Sequence, residues 1–107
     1  MANLPSHSVK LDINNPEFLK SLLELDKNER GRVLATLQKL LKLSWDPVYK
    51  DQGLEWEKIS SVRLPAGIDA VYSLRITQAR RASAMRDGEF MRFLKVYPDH
   101  DSTYGKT

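Results

Sequence analysis

The sequence has no cysteine and only two histidines, His7 and His100. The first absence excludes a disulfide, a thiolate nucleophile and a thiolate metal site, and the second argues against a histidine-based metal site within one chain. Any chemistry is therefore expected to proceed without metal, and no cofactor is expected. Nor is there an apolar run near the roughly 18 residues that a membrane helix needs. The opening Met1-Ala2-Asn3-Leu4-Pro5-Ser6 lacks the apolar region of a signal peptide, so a cytoplasmic protein is expected. Repeats and low-complexity segments are missing too. What is present is ordinary for a soluble globular protein: 107 residues, 41% hydrophobic and 29% charged. That length suits one domain over residues 1–107 with a single core. A formal charge of +3 and a pI near 9.3 favour an acidic partner such as nucleic acid, although the excess is modest.

Residues 1 to 7 carry no pattern, and His7 among them reads as an exposed bystander. From Ser8 to Ile13 the chain alternates, with Val9, Leu11 and Ile13 on one face, which predicts a half-buried strand bordering a sheet. Asn15-Pro16-Glu17 supplies an N-cap, a proline at the first helical position and an acid in the first turn. The helix should run to about Leu25 and bury Phe18, Leu19, Leu22 and Leu23. Asp26-Lys27-Asn28-Glu29 resembles a capping box, so a second helix starts at once, with Val33, Leu34, Leu37, Leu40 and Leu41 as its apolar face. Gly31 inside it costs about 1 kcal/mol, with close packing as its only evident reason. Ser44 to Gly53 reads as a loop. Leu54-Glu55-Trp56-Glu57-Lys58-Ile59 alternates but is short and charged, and it leads irregularly onward.

The stretch from Val71 to Tyr97 organises the rest. Val71–Ile76, Arg81–Arg86 and Glu89–Tyr97 are each of strand length, and Asp87-Gly88 between the last two suits a type I′ hairpin. Pairing Arg86 with Glu89 sets Ala84 opposite Met91, Ala82 opposite Phe93, Ser83 opposite Arg92 and Arg81 opposite Leu94. One face is then apolar and suited to cover by the helical hairpin, with Tyr72, Leu74 and Ile76 joining it. The other carries Arg75, Arg81 and Arg92. Between residues 71 and 98, Arg75, Arg80, Arg81, Arg86, Arg92 and Lys95 outnumber Asp87 and Glu89 by four. Like charges on neighbouring strands repel, so the cluster is either a solubilising face or a place where an anion sits. Arginine suits bidentate phosphate recognition.

A strand, a helical hairpin and a three-stranded antiparallel sheet packed on the helices, an α+β arrangement, resembles the RelE/ParE family of bacterial toxins. The motifs resemble the family's as well: Gly53-Leu54, Glu57-Lys58-Ile59, Tyr72-Ser73-Leu74-Arg75-Ile76-Thr77, the Arg80-Arg81 pair and Asp87-Gly88. The resemblance is specific from Gly53 to Tyr104 and rests on element order before that. It implies a toxin of a type II toxin–antitoxin pair, neutralised by a cognate antitoxin. Members cleave messenger RNA on the ribosome without metal or, in the ParE branch, block DNA gyrase. Likeness to the YoeB-like branch puts Glu57 at the catalytic glutamate and Arg81 at the phosphate-binding arginine, with His100 and Tyr104 in the tail where that branch has an adjacent His-Tyr. Here three residues separate them, and Ser73 and Leu74 stand where the RelE prototype has lysines.

Cleavage of this kind removes the ribose 2′-OH proton, stabilises charge on the phosphate and protonates the departing 5′ oxygen. The implied roles are Glu57 as base, Arg81 with Arg75 on the non-bridging oxygens, Lys58 and Arg92 as further phosphate contacts, His100 as acid and Tyr104 stacking or donating a hydrogen bond. The alternatives are an ion pair for Glu57, a solvated side chain for His100 and packing for Tyr104. Trp56 and Tyr72 read as core or antitoxin-contact residues. The expected function is a ribosome-dependent endoribonuclease that inhibits translation. The rivals are a ParE-like gyrase inhibitor and an inactive toxin-like domain that binds an antitoxin.

Overall fold

The structure, a computed structural model, describes residues 8–59 and 70–97. Three helices lie with a five-stranded sheet: β1 (Lys10–Asp12), α1 (Pro16–Leu23), α2 (Lys27–Leu41), α3 (Trp45–Lys50), β2 (Glu57–Ile59), β3 (Val71–Arg75), β4 (Arg81–Asp87) and β5 (Phe90–Val96). The sheet order is β1-β5-β4-β3-β2. β1 runs parallel to β5, and every other pair is antiparallel. The expected strand and three-stranded sheet are thus joined into one sheet, to which the short alternating stretch before Ser60 adds the fifth strand.

The cap residues act as the sequence suggests. Asn15 Oδ1 accepts from Glu17 N at the start of α1, and Asp26 Oδ1 accepts from Glu29 N at the start of α2. The capping box is completed differently, because the Glu29 side chain points at the sheet rather than back at Asp26. α1 stops two residues earlier than expected and leaves Leu23 66% exposed. Leu34 and Leu41 on α2 are exposed as well, so the buried stripes are Phe18 and Leu22 on one helix and Val33, Leu37 and Leu40 on the other. Gly31 is exposed with nothing within 4 Å of where a Cβ would stand, so close packing does not account for it.

The hairpin lies on the apolar sheet face formed by Leu74, Ala82, Ala84, Met91, Phe93 and Val96. Phe18 and Phe93 meet with ring centroids 5.0 Å apart, and Ser21 Oγ accepts from Val96 N. Removing a fully buried ring such as Phe18 by substitution with alanine costs about 3–5 kcal/mol.

Two further expectations are corrected. Residues Trp45–Lys50 form a helix rather than a loop, because Pro47 falls in the first turn, where the amide it lacks has no intrahelical acceptor. The hairpin register also differs: Asp87 pairs with Phe90, Arg86 with Met91, Met85 with Arg92 and Ala84 with Phe93. Its central residues are Gly88 and Glu89, and of these only Gly88 has positive φ (62°), as in a type II′ rather than a type I′ turn. A shift of two residues preserves the division of faces. A bulge between Ser83 and Ala84 then leaves Leu94 unopposed, so Ala82 faces Val96 and Ser83 faces Lys95. Among the described residues no helix is long and apolar enough to cross a membrane.

Candidate functional site

On the sheet face away from the helices, the pairing sets Arg75 beside Arg81, Ser73 beside Ser83 and Glu57 beside Ser73. Two guanidinium groups on directly opposed residues repel unless an anion lies between them. Here the anion is Glu55, in the turn just before β2. Its Oε1 accepts from Arg81 Nη1 at 2.8 Å and from Arg75 Nη2 at 3.0 Å and Nε at 3.3 Å. Its backbone carbonyl accepts from Arg81 Nη2 at 2.7 Å. Glu55 holds this position with φ of 47°, a left-handed conformation uncommon for a residue with a side chain.

Arg81 is fixed on a further side, since its Nε donates to the Oγ of Ser73, which is itself fully buried. Ser73 therefore orients the arginine, while Leu74 beside it belongs to the core. Glu57 Oε1 lies 3.8 Å from Arg81 Nη2. Arg75 also donates to the backbone carbonyl and the side-chain oxygen of Gln78 at 3.3 Å each. The two arginines, beginning with Arg75, hold the Glu55 carboxyl below its ordinary value.

These groups line one depression of about 590 Å³ together with Tyr49, Lys50, Asp51, Gln52 and Trp56. Its rim on the helix side is aromatic. Trp56 stacks on Tyr72 with centroids 4.6 Å apart and an interplanar angle of 15°. Trp45 and Tyr49, four residues apart on α3, lie against Trp56. Arg86 covers Trp45, its guanidinium 4.2 Å from the ring centroid. Trp56 Nε1 is buried without a hydrogen-bond partner among the described residues.

Of the residues singled out in the sequence, Glu57, Arg75 and Arg81 therefore share one depression. Lys58 pairs with Tyr72 and so projects to the opposite face from Glu57. Arg92 lies on the same face as Arg81 but opposite Met85, roughly 13 Å further along β4 at 3.3 Å per residue. There it is bonded to Asp12 and to Asp87. His100 and Tyr104 lie outside the described residues. Arg80, in the same Arg-Arg pair, turns away from the depression: its Nε donates to Glu29 Oε1 at 3.0 Å, beside a Thr77 hydroxyl that donates to the same oxygen at 2.8 Å.

Lining residues missed in the sequence include Glu55 and Tyr49. A signal for the first existed. Leu54 to Ile59 alternates, so Glu55 and Glu57 had to share a side. Tyr49 was lost with the helix that carries it.

No family model and no curated protein sequence matches this chain. Among solved structures it is similar to a chain of the archaeal RelE–RelB complex from Pyrococcus horikoshii, with TM-score 0.51 and 19% identity over 96% of this chain and 100% of that one. It is also similar to the YoeB dimer from Staphylococcus aureus, with TM-score 0.45 and 15% identity over 88% of this chain and 94% of that one. The chain accordingly has the RelE-like α+β fold, built here with three helices and five strands.

Proposed function

We propose that this protein is the toxin of a toxin–antitoxin pair and cleaves messenger RNA on the ribosome without metal, by attack of a ribose 2′-OH on the adjacent phosphate. The observation that supports this reading best is that two arginines and a glutamate from three neighbouring strands line one depression on a RelE-like fold. The partner neutralising it is a cognate antitoxin, as RelB accompanies RelE in the archaeal complex.

In the reaction the phosphate enters between Arg75 and Arg81 and takes the hydrogen bonds that Glu55 Oε1 now accepts. Glu55 is able to leave because its side chain is 46% exposed, and surface ion pairs are worth little. Glu57 removes the 2′-OH proton. The oxygen so freed bonds to phosphorus, giving a 2′,3′-cyclic phosphate, and the bond to the 5′ oxygen breaks. His100 gives that oxygen its proton. The guanidinium groups stabilise the charge gathered on the non-bridging oxygens, an effect worth about 10²–10³ in rate for a single well-placed donor.

The test is to induce the protein in cells and map messenger 5′ ends. New cut sites are expected for the wild type. They should fall by about 10²–10³ in Arg81→Ala and Arg75→Ala and by about 10²–10⁴ in Glu57→Gln. Arg75 is the more exposed of the two arginines, so its variant controls for misfolding. Cut sites undiminished in all three variants would show that this depression is not the catalytic site.

A second reading is favoured by one observation: Arg81 is only 6% exposed and is already bonded through all three nitrogens. A binding protein of the ParE kind, which blocks gyrase, needs no free arginine there. Inhibition of purified gyrase with messenger left intact would establish it.

A further inference from the structure

We infer that Tyr49 is a nucleobase-stacking residue, and that a base flanking the phosphate held by Arg75 and Arg81 lies on its ring. This rests on the reading of the depression as an RNA site. Tyr49 is 45% exposed, yet the rest of its ring is held from several directions. It makes edge contacts with Trp56 and Tyr72 at 6.1 and 6.5 Å and a tilted contact with Trp45 at 6.0 Å. Its hydroxyl accepts from Arg86 Nη1 at 3.3 Å.

An aromatic ring needed only for the core would be covered, as Trp45 and Trp56 are. A ring needed only for solubility would not be clamped. Tyr49 is both clamped and open, and it lines the same depression as the two arginines. This pairing of a cationic floor with an immobilised ring at its edge is how single-stranded nucleic acid is gripped: charges take the backbone and the ring takes a base, with little regard to which base. A ring already fixed loses little freedom when the base arrives. Lys50, next in α3 and also lining the depression, is placed to approach the neighbouring phosphate.

The test uses ribosomes programmed with messenger carrying 2′-O-methyl groups, which cannot supply the attacking hydroxyl. Affinity is measured for wild type, Tyr49→Leu and Tyr49→Phe, with full messenger and with messengers abasic at one position in turn. Tyr49→Leu should bind roughly 5- to 100-fold more weakly, the equivalent of a lost stacked base. Tyr49→Phe should stay within about twofold, because the ring remains.

For one abasic position the loss should match that of Tyr49→Leu, and the two losses should not add, since each removes one half of the same contact. A merely structural tyrosine would give additive losses at every position. Unchanged binding by Tyr49→Leu, or additive losses throughout, overturns this inference alone. A wild type that binds no programmed ribosome overturns the underlying reading as well.

Discussion

Arg80 and Arg81 are adjacent in sequence, and each bonds a glutamate, but the two ion pairs do different things. Arg80 and Thr77 meet Glu29 under the start of α2, where the carboxylate side chain is 10% exposed and Arg32 supplies a further donor. Arg81 meets Glu55 across the depression, and there the arginine is the buried partner and the carboxylate the open one. Burial of the acid makes the first pair a fixed clip between helix and sheet. Exposure of the acid leaves the second open to water on its carboxylate side, as the proposed exchange of Glu55 for a phosphate requires. What separates scaffold from site is therefore which partner of the pair can reach water.

The largest effect expected from breaking this contrast is on stability. Glu29→Ala removes the largely buried carboxylate that accepts from Thr77, Arg80 and Arg32, at a cost of about 2–4 kcal/mol. Chemical denaturation of purified protein measures it. Glu55→Ala should cost clearly less, because its carboxylate is 46% exposed and Arg81 keeps the Ser73 hydroxyl and the backbone carbonyl of residue 55 as acceptors. Equal destabilisation by the two substitutions would show that Glu55 is as structural as Glu29.

The next comparison concerns affinity. Glu55→Gln removes the charge that competes with phosphate, so binding of inorganic phosphate or of programmed ribosomes should tighten roughly fivefold at low salt. Glu29→Gln should not change it. Weaker binding by Glu55→Gln would mean that this carboxylate orients the arginines for the phosphate rather than standing in for it.

Acid should distinguish the pairs as well. Glu29 is held below its ordinary value of 4.5, first by the Thr77 hydrogen bond and then by that of Arg32, and Glu55 is lowered chiefly by Arg75. Both folded values lie below the unfolded one. The stability these groups contribute is therefore fully present above pH 4.5 and is lost as the pH falls through the folded values. Asp12 and Asp51, also lowered, add to the same acid limb. Melting temperatures from pH 6 to pH 3 should fall steeply for the wild type, clearly less steeply for Glu29→Gln and only slightly less steeply for Glu55→Gln, because solvent screens the exposed carboxylate.

How much of this was legible follows from what local patterns encode. Asn15-Pro16 and Asp26 announce their helices because capping is a matter of a few consecutive residues. The two sheet faces were legible because alternation survives a shift of two. The register itself was not, since Asp87-Gly88 and Gly88-Glu89 both suit a two-residue turn and no local pattern marks Leu94 as the extra residue of a bulge. Arg75 and Arg81 could be set side by side from strand pairing alone. Their shared partner was signalled only by the alternation that sets Glu55 on the side of Glu57; the turn with positive φ from which it reaches both arginines is marked by no local motif. The resemblance pointed to Glu57 and passed over Glu55, whose carboxylate meets both arginines in this chain. Trp45-Asp46-Pro47 looked like a break because proline usually is one, and with α3 went the aromatic rim.

The smallest expected effect isolates the rigid half of the comparison. Gly31 lies two residues beyond Glu29 in α2, with open space where a side chain would stand, and its φ is not in the left-handed region. Gly31→Ala should therefore add about 0.5–1 kcal/mol of stability through helix propensity and a less flexible unfolded chain. The substitution touches neither arginine pair, so messenger cleavage should match wild type while the denaturation midpoint rises. A gain in stability accompanied by lost cleavage would mean that bending of α2 near Glu29 is needed at the depression. The fixed clip and the exchangeable one would then be mechanically joined through Thr77 and the turn from Ile76 to Arg80, rather than independent as their separate partners imply.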